Sequence, residues 1–209
     1  MKTVLHILPS NSFSGAENVV CQIIKMFSGS DYKMYYCSPD GRIRDALEEN
    51  NIDFLPLREF SVKELKRIIS ETKPDIIHAH DMRAGFYVSL ACGKIPFVSH
   101  VHNNNFDSRG LSLKSLLFYH AAKKAKHIFW VSESSFEGYK FHDRFKDKSS
   151  VLYNVIDKAA LIKKMETDTG EYDFDIAYVG RLTEPKDPIR LMNVFAEIIK
   201  MAPDVKIAV

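Results

Sequence analysis

Short, continuously apolar runs alternate with amphipathic stretches along almost the whole chain, and this constrains the fold more than any other feature. A strand with one face in water shows apolar residues at every second position, whereas a strand covered on both faces is apolar throughout. Runs such as Val-Leu-His-Ile-Leu (4–8) and Asp-Ile-Ile-His-Ala-His (75–80) are of the second kind. Strands of that kind, alternating with helices through short connections, build a parallel sheet with helices on both faces, an α/β architecture. The pattern predicts strands over 3–8, 33–37, 52–57, 75–80, 96–102, 127–132 and 150–153, and helices over 16–27, 42–50, 61–71, 82–92, 111–126 and 134–145. Ser61, with Glu64 three residues on, has the capping-box spacing, and Pro74 ends the helix that it opens.

Residues 158–173 break the rhythm, Lys-rich at first and then acidic from Glu166 to Asp173, and read as a linker. Beyond it comes a strand over 176–179, the loop Gly-Arg-Leu-Thr-Glu-Pro-Lys-Asp-Pro, a helix over 188–201 and a strand beginning at Val205. The expected organisation is one domain over 1–157, a linker over 158–173 and the opening of a second α/β domain over 174–209. A lone strand–helix–strand cannot cover its own sheet. The expectation is therefore a truncated second domain whose open sheet invites pairing with another copy, a homodimer.

Charge excludes some partners. The net charge of +2 gives no basis for nucleic-acid binding. It is unevenly spread: residues 1–150 carry 21 Lys/Arg against 17 Asp/Glu, whereas 151–209 carry 8 against 10. The mildly basic front suits anionic ligands or a membrane surface, with a solvated face as the plainer reading. Cys21, Cys37 and Cys92 have no paired spacing and read as small core residues of a reducing compartment. With no apolar run near the roughly 20 residues of a spanning helix, the expected location is cytoplasmic.

Several groupings could carry chemistry. The dinucleotide fingerprint G-x-G-x-x-G is absent after the first strand; Gly15 stands instead at the mouth of a helix, where free N–H groups suit an anion and a plain turn glycine is the competing reading. His78/His80 and His100/His102 form two H-x-H pairs, each on one face of a strand. They could ligate a metal for hydrolysis, but no carboxylate cluster joins them, so strand-end histidines are the plainer reading, with His102 and Asn103 to Asn105 placed to hold a polar substrate. Arg181 and Lys186 flank a loop that leads into a helix, an arrangement suited to a diphosphate, though a solvated loop would look the same. Asp173-Phe-Asp175 has the D-x-D spacing of a metal-bound diphosphate site but sits against the acidic linker and reads as solvated charge. The helix over 111–126 puts Leu113, Leu116, Leu117 and Phe118 early and Lys123, Lys124 and Lys126 late; the lysines complement the helix dipole or face an anionic membrane.

Taken in order, SGAEN (14–18), PDIIHAH (74–80), FVSHVHN (97–103), WVSES (130–134), VLYNVID (151–157) and YVGRLTEPKDP (178–188) resemble the motifs of family-4 glycosyltransferases of the GT-B fold. The resemblance runs the length of the chain. It implies two Rossmann-like domains: 1–157 on the acceptor side, and a second that binds the nucleotide sugar. It also implies a retaining, metal-independent transfer with no cofactor, from a donor that family frequency makes a UDP-sugar. The acceptor would be a glycan or lipid-linked chain in surface polysaccharide synthesis, at the inner face of the membrane. By the same resemblance, Arg181 and Lys186 neutralise the donor diphosphate, Gly15 meets it through its N–H, and His102 sits beside the transferred sugar as the catalytic-site residue. Asn154 lies near the interdomain crossover. Two departures stand out: Ser14 replaces the first of two glycines, and a later pair of glutamates would lie beyond Val209. The chain alone is therefore expected to be inactive. The alternatives are a non-catalytic acceptor-binding or assembly module of the same fold, and a metal hydrolase built on the H-x-H pairs.

Overall fold

Seven strands, β1 (Lys2–Ile7), β2 (Tyr32–Pro39), β3 (Phe54–Leu57), β4 (Ile76–His80), β5 (Phe97–Val101), β6 (His127–Trp130) and β7 (Ser149–Val151), form one sheet in the computed structural model. Residues 1–103 and 106–209 are described. The strand order is β3-β2-β1-β4-β5-β6-β7 and every pairing is parallel. The connections are α1 (Gly15–Met26), α2 (Ile43–Glu49), α3 (Val62–Thr72), α4 (Asp81–Ala91), α5 (Leu113–Lys124) and α6 (Glu133–Glu137), with a 3₁₀ helix over His142–Lys148.

Two cores show why the strands are apolar throughout. On one side of the sheet, Leu5, Ile77 and Trp130 pack with Leu65 and Ile68 of α3, Val88 of α4 and Phe118 of α5. On the other, Tyr36 packs with Val20 and Cys21 of α1 and with Ile43 and Leu47 of α2. Helices thus cover both faces in a Rossmann-like arrangement. Cys21, Cys37 and Cys92 are all buried and unbridged. Between elements of this core the approach is close at Gly85 of α4, where a Cβ would come within 3.0 Å of Ser99 Oγ and 3.3 Å of the Phe118 ring.

Helix ends follow local chemistry. Ser61 Oγ accepts from the Glu64 N–H, but the Glu64 carboxylate turns away from the Ser61 backbone to accept from the Arg58 N–H and from Arg67, so only half of the expected box forms. A reciprocal box forms at α5, where Ser112 and Ser115 cap each other. The helix expected over 134–145 is shorter: α6 ends at Glu137, Gly138 follows in its C-cap, and the chain resumes as the 3₁₀ helix.

The chain divides at residue 156 into two units, Met1–Ile156 and Asp157–Val209. The stretch read as linker is partly helical: α7 (Lys158–Thr167) starts where the Asp157 carboxylate accepts from the Ala160 N–H, although none of its residues is buried. After it come β8 (Ile176–Ala177), a 3₁₀ turn (Glu184–Lys186), α8 (Pro188–Met201) and β9 (Ile207–Ala208), with β8 and β9 paired in parallel. The Asp173 and Asp175 carboxylates are engaged by Lys206, through its Nζ and its backbone N–H respectively.

Candidate functional site

From β1 the chain moves outward to β2 and β3, then returns past β1 to β4 and continues outward on the other side. The change of direction opens a crevice at the carboxyl ends of β1 and β4, where open α/β sheets bind ligands. Residues that end these strands, or follow them, therefore meet there.

On the β1 side, the chain turns through Ser10 to Ser14 into α1. Gly15 is the first residue of α1, and a Cβ built on it would meet nothing within 4 Å. Protein packing therefore does not require glycine here, and the space its side chain would take is open. Two residues on, Glu17 is only 3% exposed and accepts from the Ser14 hydroxyl.

Asp81 follows β4 with φ +71°, a left-handed conformation that a residue with a Cβ adopts at a cost of about 1–2 kcal/mol. Its Oδ1 accepts from the His102 N–H at 3.1 Å, a bond that joins the end of β4 to the end of β5. Burial, with the nearby Glu17 charge, pushes the Asp81 carboxyl up to about 6, against the pull of that bond. Groups held in strained backbone with a displaced titration cluster at functional sites.

Around Asp81 lies the most unusual feature of the site, five histidines on one face of three adjacent strands. The parallel register sets His6 beside His78 and His80 beside His100, and His102 follows two residues later. The rings of His100 and His102 lie 4.0 Å apart between centroids, and those of His78 and His80 4.1 Å, each pair tilted by about 30°. Burial pushes the imidazoles down: His6 to about 3, His102 to about 4, His100 to about 2, and His78 and His80 far below the usual range. At neutral pH the cluster is uncharged. His6-His78-His80 and His80-His100-His102 each have the proximity of a metal triad, but His80 already gives both ring nitrogens to other imidazoles.

The structure thus brings His102 together with Asp81, Glu17, His6 and His80, of which the sequence reading singled out only His102 and His80. Asp81 looks like an ordinary helix-capping residue in sequence. A lone His6 gives no signal until the register of β1 with β4 is known. Arg181 and Lys186 lie in the second unit, both exposed, Arg181 before the 3₁₀ turn between β8 and α8 and Lys186 as its last residue. Asp187 takes φ +46° there and accepts from the Arg190 N–H to start α8. Asn103 Nδ2 lies 3.4 Å from the Asp81 carboxylate, while Asn104 and Asn105 fall outside the described residues. On α5, Leu113 and Leu116 are exposed and Phe118 is buried; Lys124 is drawn inward to donate to the Ser89 carbonyl.

An uncharged imidazole cluster, a buried carboxyl and a helix N-terminus can bind and orient a polar ligand, and no side chain among them is built as a nucleophile with its base. Comparison with known proteins agrees with the fold. The sequence profile of Glycosyltransferase Family 4 matches residues 13–160. A crystal structure of Anabaena Alr3699/HepE in complex with UDP-glucose superposes with a TM-score of 0.75 at 17% identity, covering 94% of this chain and 58% of that one. UDP-GlcNAc 2-epimerase from Neisseria meningitidis, bound to UDP-GlcNAc, gives 0.62 at 17% identity, with 98% and 64% covered. Acinetobacter baumannii MurG gives 0.56 at 12% identity, with 89% and 52% covered. The chain thus spans somewhat over half the length of these proteins. A search of curated proteins found no significant match.

Proposed function

The chain belongs to glycosyltransferase family 4, and from that premise we propose that it carries the acceptor-side domain of a retaining, metal-independent transferase that uses a UDP-sugar. The observation that carries the proposal is the crevice itself: His102 and Asp81 at the ends of β5 and β4, with Glu17 of α1 beside them. Two of the structural neighbours were solved with UDP, UDP-glucose or UDP-GlcNAc, which favours a uridine donor.

In this reading each residue has one task. Gly15 lets the donor diphosphate approach the α1 N–H groups, and the helix dipole favours its charge. Arg181 and Lys186 neutralise the charge of the diphosphate. When the bond from the anomeric carbon to the phosphate oxygen breaks, the electron pair stays on that oxygen and the two cations stabilise it. The acceptor hydroxyl oxygen bonds to the anomeric carbon on the same face, and its proton passes to the departing phosphate. His102 orients the sugar, so catalysis is positioning plus stabilisation of the leaving group. The acceptor is a glycan or a lipid-linked chain of surface polysaccharide synthesis; exposed Leu111, Leu113 and Leu116 suit contact with the membrane that would carry it.

Calorimetric titration of UDP, GDP and inorganic pyrophosphate into the chain tests the charge assignment. The expected result is a uridine preference with a Kd on the order of 1 mM, weakened about tenfold or more in Arg181→Ala and Lys186→Ala, the loss of one charge-assisted hydrogen bond. Equal binding by these variants and the parent would remove Arg181 and Lys186 from the site and favour an acceptor-binding module.

A further inference from the structure

His6, His80 and His102 form one hydrogen-bonded chain that crosses three strands. His102 Nε2 lies 2.8 Å from His80 Nδ1, and His80 Nε2 lies 3.1 Å from His6 Nδ1. Its two end nitrogens, His102 Nδ1 and His6 Nε2, are buried and have no partner among the described residues. A neutral imidazole has one N–H and one lone pair, so each ring accepts at one nitrogen only if it donates at the other. Burial holds all three rings uncharged at neutral pH. Only two proton arrangements then make both bonds: every ring Nε2–H, or every ring Nδ1–H. Mixed states break a bond.

The ends of the chain decide between the two. Either arrangement leaves one end with an N–H and the other with a bare nitrogen, and an unmet buried N–H is the more costly of the two. His6 lines a cavity of about 420 Å³, together with Gln22, whose Oε1 is buried and unpartnered. His78 and His100, which also carry unpartnered buried nitrogens, line the same cavity, so water there would find polar partners for the His6 N–H. At the other end, His102 Nδ1 has no acceptor among the described residues, so it is better left as the bare nitrogen than as an unmet N–H. The donors therefore run from His102 towards His6.

We propose that His80 and His6 are positioning residues that lock His102 as its Nε2–H tautomer, fixing its ring and leaving Nδ1 as an acceptor for a hydroxyl of the bound sugar. This rests on the reading of His102 as the residue beside the donor sugar. His80 has no nitrogen left for a metal, which separates the chain of rings from a zinc site built on the same residues.

The test is nitrogen-15 NMR of the imidazoles in the unliganded 209-residue chain at neutral pH. Expected are Nε2–H tautomers at all three rings and nitrogen–nitrogen couplings across both bonds. In His6→Phe, His80 loses its acceptor, the direction of donation is released, and an Nδ1–H population appears at His102 two rings away. His6→Asn, whose Oδ1 stands close to the lost Nδ1, restores the single Nε2–H state. Different tautomers among the three rings, absent couplings, or a His102 tautomer indifferent to His6→Phe in a folded variant would overturn the proposal. So would stoichiometric zinc in the purified chain with loss of the couplings. If His6→Phe does not fold, the couplings and tautomers of the parent chain still decide. Since no ligand is added, failure of UDP-sugar binding would sink the functional reading and leave this result standing.

Discussion

Gly15 shows how a single residue separates stability from function. A methyl group there meets no protein atom, and alanine is the better helix former. Gly15→Ala is expected to hold or raise stability by up to about 1 kcal/mol while weakening UDP-sugar binding; urea unfolding together with a binding titration checks both halves. The histidine cluster makes a second prediction. Its rings titrate lower folded than unfolded, so their stabilisation is full above about pH 6.5 and is lost as pH falls towards the folded values. Between pH 7.5 and 5.5 each ring that stays neutral costs about 1.4 kcal/mol, because the unfolded chain takes up the proton. Asp81 acts in the opposite sense: raised to about 6, it favours the folded state at lower pH, but one carboxyl returns less than about 1 kcal/mol over this range. The urea midpoint should therefore fall from pH 7.5 to 5.5, and an unchanged midpoint would mean the rings are not buried and neutral. At this scale the sequence showed the two H-x-H pairs and Gly15, because spacing along one strand or at one helix mouth is local. It did not show that His6 joins the pairs, since that depends on register with a strand some 70 residues away.

Elements were more legible than contacts. The seven strands and the α1 to α5 helices follow from runs of hydrophobicity, with ends shifted by only a few residues. The shortfall was at α6, where the continuing polar–apolar pattern hid a break at Gly138, and at α7, where lysines masked good helix formers behind the Asp157 cap. The half-formed box at Ser61 has a similar cause: Arg67, one turn further on, competes for the Glu64 carboxylate and wins it. Packing between elements gives the sharpest element-scale prediction. Gly85 lets α4 lie against β5 and α5, so Gly85→Val should destabilise the first unit by about 1–3 kcal/mol through overpacking, read as a lower urea midpoint with an unchanged slope. Ser61→Ala should cost α3 about 1 kcal/mol by removing its cap.

For the molecule as a whole, the fold was readable because a parallel sheet and its helices impose one pattern over the entire chain. The site was readable only in part, because a crevice gathers residues from strand ends that are far apart in sequence. The two units differ in character: the first has two buried cores, whereas Phe195 is the one buried apolar side chain among the described residues of the second. Limited proteolysis is therefore expected to cut first between about residues 167 and 175, outside α7 and β8, and to leave the first unit intact. The central claim is that the crevice beside His102 and Gly15 receives a nucleotide sugar, and titration of UDP-glucose into the nitrogen-15-labelled chain tests it most directly. The account predicts that the amides of Gly15, Asp81 and His102 shift together and saturate with one Kd, while amides of α3 stay still. If those three amides do not move as UDP-glucose is raised to saturation of solubility, or if the only shifts fall elsewhere, the donor crevice has been placed wrongly.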